Sequence, residues 1–187
     1  MLKSTCALLL LLLIAAGSAV PASANMITNG GFETGDFTGW TQTGNLGSTF
    51  VNGDDPHSGS YAAWLGPVGS PGFLSQSLAT VPGVTYDISF WLKSDGLVPN
   101  FFSVAWGGST PFSFTNFAFP FGYSRFDLSL PATTTSTVIR FGFRNDPGYL
   151  QLDDVGVNPT VPEPGTLLLL GSGLTTLALR RRRRNNS

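Results

Sequence analysis

The chain has 187 residues, and five of its ten basic residues form one run at positions 180–184. Residues 25–160 contain four basic and ten acidic residues, a net charge of −6, which argues against nucleic acid as a partner. One cysteine and one histidine exclude a disulfide scaffold and leave too few side chains for a zinc site.

Residues 1–24 are predicted to be a signal peptide. Lys3 precedes an apolar run at residues 7–16, and Ala22-Ser23-Ala24 fits the small-residue pattern that signal peptidase reads. The mature chain would begin at Asn25. Cys6 would be removed with the signal peptide, which argues against cysteine catalysis.

Residues 25–157 are predicted to form an all-β domain. All four Trp, four Tyr and fifteen Phe lie in this span, in short segments separated by Gly, Pro, Asn and Asp. These segments predict eight to eleven strands, the first over residues 26–28 and a later one over residues 112–119. That number suits a two-sheet antiparallel β-sandwich of the jelly-roll type.

The clearest strand is predicted over residues 84–93. Its apolar residues alternate with the others, so the core positions are predicted to be Val84, Tyr86, Ile88, Phe90 and Leu92. Val81-Pro82-Gly83 predicts a type II turn before this strand, and residues 145–148 predict another turn before the last one. Both turns are interpreted as hairpin connections.

A glycine-rich stretch at residues 29–35 contains Glu33, and the last strand contains Asp153 and Asp154. Together with residues 54–61 and 86–91, their order resembles the galactose-binding-like jelly roll of carbohydrate-binding modules. The resemblance covers nearly all of residues 26–157 and implies a structural calcium ion that ties the first loop to the last strand. Glu33 and Asp153 or Asp154 would then supply carboxylates, with backbone carbonyls from residues 30–31 and 57–59. The alternative is that these carboxylates cap turns and face solvent.

Four side chains are predicted to bind a glycan: Trp91, Tyr123, Arg125 and Arg140. A sugar ring stacks on an exposed aromatic face beside a few planar hydrogen-bonding groups, and alternation directs these four away from the core positions of their strands. The sequence does not establish that the strands share a sheet. The alternative for Trp91 is that a loop covers it.

No catalytic residue is assigned. A Ser-His-Asp set would have to use Ser58, His57 and Asp54, but neighbours on one loop cannot easily form the relayed hydrogen bonds. Glycoside hydrolysis needs two carboxylates at a set separation, and no motif supports such a pair. The domain is therefore predicted to be non-enzymatic.

The C-terminal segment is predicted to be a membrane signal. Pro162, Glu163 and Pro164 lie in a linker at residues 158–165, and Pro disfavours a helix there. The apolar residues 166–179 would span only about 21 Å as a helix, short of a bilayer, and the Arg-rich tail at residues 180–187 would stay cytoplasmic.

This order of parts, over residues 161–184, resembles the PEP-CTERM sorting signal. The resemblance implies processing by an exosortase, a membrane-embedded cysteine protease, after transient anchoring in the inner membrane. An ordinary weak tail anchor is the alternative. The whole sequence thus predicts an exported cell-surface or extracellular-matrix protein that binds polysaccharide. A purely structural protein of the biofilm or envelope is the main alternative, and a glycoside hydrolase is the third.

Overall fold

The computed structural model describes residues 25–160. This part of the chain contains ten β-strands joined by turns and loops. They are β1 (Thr41–Gly44), β2 (Thr49–Asn52), β3 (Ala62–Leu65), β4 (Gly72–Ala79), β5 (Thr85–Ser94), β6 (Asn100–Trp106), β7 (Ser109–Thr115), β8 (Phe121–Pro131), β9 (Ser136–Asn145) and β10 (Leu150–Pro159). Within this range, no helix is long and apolar enough to cross a membrane.

The strands form two five-stranded antiparallel sheets. The first sheet has the order β1-β4-β9-β6-β7, and the second has the order β2-β3-β10-β5-β8. Their inner faces enclose one hydrophobic core, so the predicted all-β jelly-roll sandwich is confirmed. The predicted signal helix and C-terminal hydrophobic helix lie outside the described residues.

The core is built on the alternation of β5. Tyr86, Ile88, Phe90 and Leu92 are buried as predicted, and Val84 packs against them while partly exposed. The Phe90 ring lies 5.7 and 5.5 Å from the rings of Phe102 and Phe141, both on the first sheet. Phe90 therefore joins the two layers.

The type II turn at Val81–Val84 is present, but the hairpin that it was expected to close is not. Val84 N–H donates to the Val81 carbonyl at 3.1 Å, and Gly83 has the positive φ (84°) that this turn requires. However, β4 and β5 belong to different sheets, and so do β9 and β10. Both turns carry the chain across the sandwich, because a turn reverses the chain without choosing its pairing partner.

Two predicted strands differ clearly from the structure. Residues 26–28 form no strand, because the Thr28 backbone bonds to the Gln76 side chain instead of to a neighbouring strand. The strand expected to reach residue 119 ends at Thr115, since Asn116 adopts a left-handed φ of 53°. The last strand continues to Pro159, which pairs with Tyr86.

Candidate functional site

The glycine-rich loop at residues 29–35 packs against the last strand. Val155 N–H donates to the Gly30 carbonyl at 2.9 Å. Any side chain at position 30 would overlap the Val155 carbonyl oxygen, so this close approach requires glycine. The first loop and the last strand therefore meet, as the resemblance implied.

Glu33 binds backbone N–H groups from a second loop. Its carboxylate accepts hydrogen bonds from Ser60 N–H at 3.0 and 2.9 Å and from Tyr61 N–H at 3.1 Å. The resulting contact joins the start of the domain to residues 54–61, which we call the covering loop.

Asp153 and Asp154 hold the same loop from β10. The fully buried Asp153 accepts hydrogen bonds from the backbone N–H groups of His57 at 2.9 Å and Ser58 at 3.2 Å. Asp154 pairs with His57 Nδ1 at 2.7 Å and accepts the Ser58 hydroxyl at 2.8 Å. Consecutive strand residues normally face opposite sides, but β10 has a register shift here and Asp154 has a φ of 48°, so both carboxylates reach the loop.

Burial raises the pKa of Asp153 to about 6. Three backbone N–H donors favour the carboxylate, but loss of hydration outweighs them, and the neighbouring charge of Asp154 raises the pKa further. The hydrogen bonds to Asp153 thus offset only part of the cost of burying its charged form.

The donor types of Glu33, Asp153 and Asp154 fit a hard cation, but their placement fits it only in part. A methyl group added at Gly31 would lie 3.4 Å from Asp154 Oδ1 and 3.8 Å from Asp153 Oδ1, so both carboxylates border one space. Within residues 25–160, no three His, Cys, Asp or Glu side chains converge closely enough to hold a metal ion by themselves. A cation there would need backbone carbonyls as further ligands.

The covering loop lies over the aromatic residues that were predicted to bind sugar. His57 stacks on Trp91 with ring centres 3.8 Å apart and an angle of 18° between the rings. The Tyr123 hydroxyl donates to the Asp55 carbonyl at 2.9 Å, and Lys93 forms an ion pair with the Asp55 carboxylate. A loop therefore covers Trp91, which was the alternative considered for this residue.

The four predicted glycan-binding residues do not form one surface. Trp91, Tyr123 and Arg125 share the outward face of the second sheet, where Trp91 and Arg125 are directly paired. Arg125 is exposed and bonded to Asp127, with Nε 3.0 Å from Oδ1. Arg140 lies on β9, in the first sheet, because β8 and β9 belong to opposite layers.

The outward side of the first sheet, which we call the first-sheet face, has a different character. One row across its five strands consists of Thr43, Phe73, Gly142, Ser103 and Ser113. The adjacent row consists of Thr41, Ser75, Arg140 and Ala105, and a third contains Arg144, Phe101 and Thr115. Hydroxyl groups, two aromatic rings and two guanidinium groups thus occupy one side of the sandwich.

Phe73 lies flat on this face between two glycines. A methyl group added at Gly44 or at Gly142 would come within 3.0 Å of its ring. The Arg140 guanidinium carbon is 4.9 Å from the centre of the same ring, a cation–π contact. The sequence analysis did not assign Phe73 to a site, although alternation with the apolar Leu74 and Leu78 of the same segment could have placed it on the outward face.

Arg144 on the same face is already paired. Its Nε and Nη2 atoms donate to the two carboxylate oxygens of Asp146 at 3.1 and 2.6 Å. Hydrogen bonding from Arg144 lowers the pKa of Asp146. Arg144 therefore fixes the loop at the edge of the face.

Two family models match this chain. Residues 24–109 match the family described as carbohydrate binding domain, and residues 160–184 match the PEP-CTERM protein-sorting motif. Both resemblances drawn from the sequence are confirmed. A search of curated proteins finds no match.

Solved structures share the fold at low sequence identity. A structure of TmCBM61 in complex with beta-1,4-galactotriose is 22% identical, with a TM-score of 0.58, and the match covers 73% of this chain and 99% of that chain. The CBM22-1 xylan-binding domain from Paenibacillus barcinonensis Xyn10C is 16% identical, with a TM-score of 0.55, covering 78% and 100%. A Stig cyclase from Fischerella sp. TAU is 14% identical, with a TM-score of 0.56, covering 76% and 100%. The fold alone therefore does not separate binding from catalysis.

Acid should stabilise the domain through Asp153. Its pKa is about 6 in the folded state against 3.8 ordinarily, so its contribution is fully present below about pH 4 and is lost as the pH rises through 6. We expect about 1–3 kcal/mol from this residue between pH 7 and pH 4. Urea unfolding of His57→Gln and of His57→Gln/Asp153→Asn measures it, because the comparison is then made without the imidazole that pairs with Asp154.

As the pH falls, the unfolding free energy of His57→Gln should rise relative to that of His57→Gln/Asp153→Asn. Parallel pH profiles would show that Asp153 titrates as an ordinary carboxylate.

Proposed function

We propose that this chain is an exported, non-enzymatic protein that binds polysaccharide on the first-sheet face. The observation that carries the proposal is the flat Phe73 ring with Arg140 against it. The family match to a carbohydrate binding domain and the sorting motif support binding and export in general terms.

The chemistry of the first-sheet face supports sugar binding. A pyranose ring offers C–H groups that stack on an aromatic face and hydroxyls that bond to planar polar groups. Phe73 supplies a half-buried ring with the exposed Arg140 side chain over it, which no ion pair among the described residues fixes there, and two rows of hydroxyl side chains lie beside it. A long polymer could run across the strands, because the rows extend over the whole sheet.

The covering loop makes the outward face of the second sheet the weaker candidate. The His57 ring occupies the stacking position on Trp91 that a sugar would need. Three carboxylates on two other segments hold that loop in place. Sugar binding at Trp91 would first have to displace it.

The grouped carboxylates support a binding role over hydrolysis. Glu33, Asp153 and Asp154 accept hydrogen bonds from the covering loop. Their oxygens therefore hold this loop in place and do not flank an open cleft. A glycosidase needs one carboxyl group to protonate the leaving oxygen and a second to act as base or nucleophile.

Replacing Phe73 with alanine should weaken glycan binding. Loss of one stacking platform costs about 1–3 kcal/mol by analogy with base stacking, so the affinity should fall about fivefold or more. The measurement is calorimetry of residues 25–160 against polysaccharides that a glycan array selects. This fragment contains all ten strands and the core.

Phe119→Ala is the matched control, because Phe119 is 70% exposed and lies outside the first-sheet face. Equal losses in both variants would refute the assignment. If no polysaccharide binds, the purely structural role in biofilm or envelope is correct, and turnover of reporter glycosides would identify a hydrolase.

The PEP-CTERM motif supports a sorting route through the inner membrane. We propose that residues 166–179 hold the precursor there, with Arg180–184 in the cytoplasm, until an exosortase processes it. The mature domain would then reach the cell envelope or extracellular matrix.

Changing Pro162, Glu163 and Pro164 to alanine should block this processing. Full-length protein should accumulate in the membrane fraction, because the extended peptide before the apolar segment is lost. Mass spectrometry in the native host measures it, with Asn185→Ala/Asn186→Ala as the control outside the matched motif. An unchanged mature mass in the triple variant would contradict the proposal.

Calcium at Glu33, Asp153 and Asp154 is also a proposal. The space beside Gly31 that the Asp153 and Asp154 carboxylates both border supports it, because a divalent cation there would offset the cost of burying Asp153. The cation would tie the first loop, the covering loop and β10 together.

Calcium should raise the melting temperature of EDTA-treated protein. An ion that binds only the folded state adds about 2.7 kcal/mol at a hundred times its Kd. Glu33→Gln should abolish most of the shift, whereas Asp87→Asn, on the exposed side of β5, should retain it. Magnesium at equal ionic strength controls for screening. Identical melting curves with and without millimolar calcium would leave the carboxylates as turn-capping groups.

A further inference from the structure

Arg140 differs from the other basic residues of residues 25–160. Three of the four basic side chains form ion pairs, namely Lys93 with Asp55, Arg125 with Asp127, and Arg144 with Asp146. Arg140 forms no ion pair among the described residues. In a domain with a net charge of −6, an exposed cation without a carboxylate partner calls for an explanation.

The neighbours of Arg140 are neutral. Ser75 and Ala105 are its partners on the adjacent strands, and Val138 and Gly142 flank it on the outward side of β9. The rows of the first-sheet face described above include no acidic residue. Among the described residues, the face therefore carries one positive charge without an ion-pair partner on an acidic domain.

Contact with Phe73 limits the movement of the Arg140 side chain. The guanidinium carbon lies 4.9 Å from the ring centre, while the residue as a whole stays exposed. A guanidinium held in this way keeps its planar fork of N–H donors free for a carboxylate, which it can bind with two parallel hydrogen bonds. The carboxylate-binding group thus lies over the aromatic ring.

We propose that the first-sheet face selects acidic polysaccharides, with a uronate carboxylate paired with the Arg140 guanidinium that lies over Phe73. The inference rests on the proposed function and names the substrate class of the same site. Neutral polymers would contact the same face but would leave the guanidinium without a charged partner.

The test compares pairs of polymers that differ only in charge. Calorimetry of residues 25–160 against polygalacturonate and alginate, and against the methyl-esterified form of each, should show about tenfold tighter binding of at least one acidic form at low salt. Molar salt should reduce that preference. Arg140→Gln should bring the ratio of the two affinities close to one, because it should weaken binding of the acidic form more than binding of the neutral ester, and Arg140→Lys should restore part of the preference.

Arg125→Gln is the matched control, because Arg125 is an exposed arginine on the opposite sheet. It should leave the preference unchanged. Equal binding of charged and esterified polymers, or a preference that survives Arg140→Gln, overturns the inference but leaves the proposed function intact. Absence of binding to every polysaccharide tested overturns both.

Discussion

The packing of aromatic rings between the two sheets determines which side chains face outward. Phe90 on the second sheet contacts Phe102 and Phe141 on the first, and all three are fully buried. Because successive strand residues alternate between faces, burying these rings commits Trp91 to one outer surface and Arg140 to the other. This alternation decides on which outer surface each candidate glycan-binding residue lies.

The two outer surfaces of the sandwich differ in what covers them. On the second sheet, buried Asp153 and its neighbour Asp154 bind the covering loop, and His57 from that loop stacks on Trp91. A buried carboxylate is costly unless it is hydrogen-bonded, so the loop satisfies Asp153 at the same time as it covers the aromatic residues. On the first sheet, glycines leave room for Phe73 to lie flat and partly exposed.

Sequence patterns predicted the features that depend on neighbours along the chain. The alternation at residues 84–93 identified the core side of β5, and Val81-Pro82-Gly83 identified a type II turn. The motif at residues 160–184 was likewise recognisable, because its parts follow one another along the chain. The contact between the glycine-rich loop and the last strand was expected only through the resemblance to a known fold.

The amino-acid sequence by itself thus determined strand periodicity, turn type and the sorting signal, since each is encoded within a few consecutive residues. Only the tertiary structure decided that β4 and β5 lie in different sheets, that His57 covers Trp91, and that Arg140 stands beside Phe73. These contacts join residues between 34 and 67 positions apart. They depend on which strands pair across the whole sandwich, and local propensity does not specify that pairing.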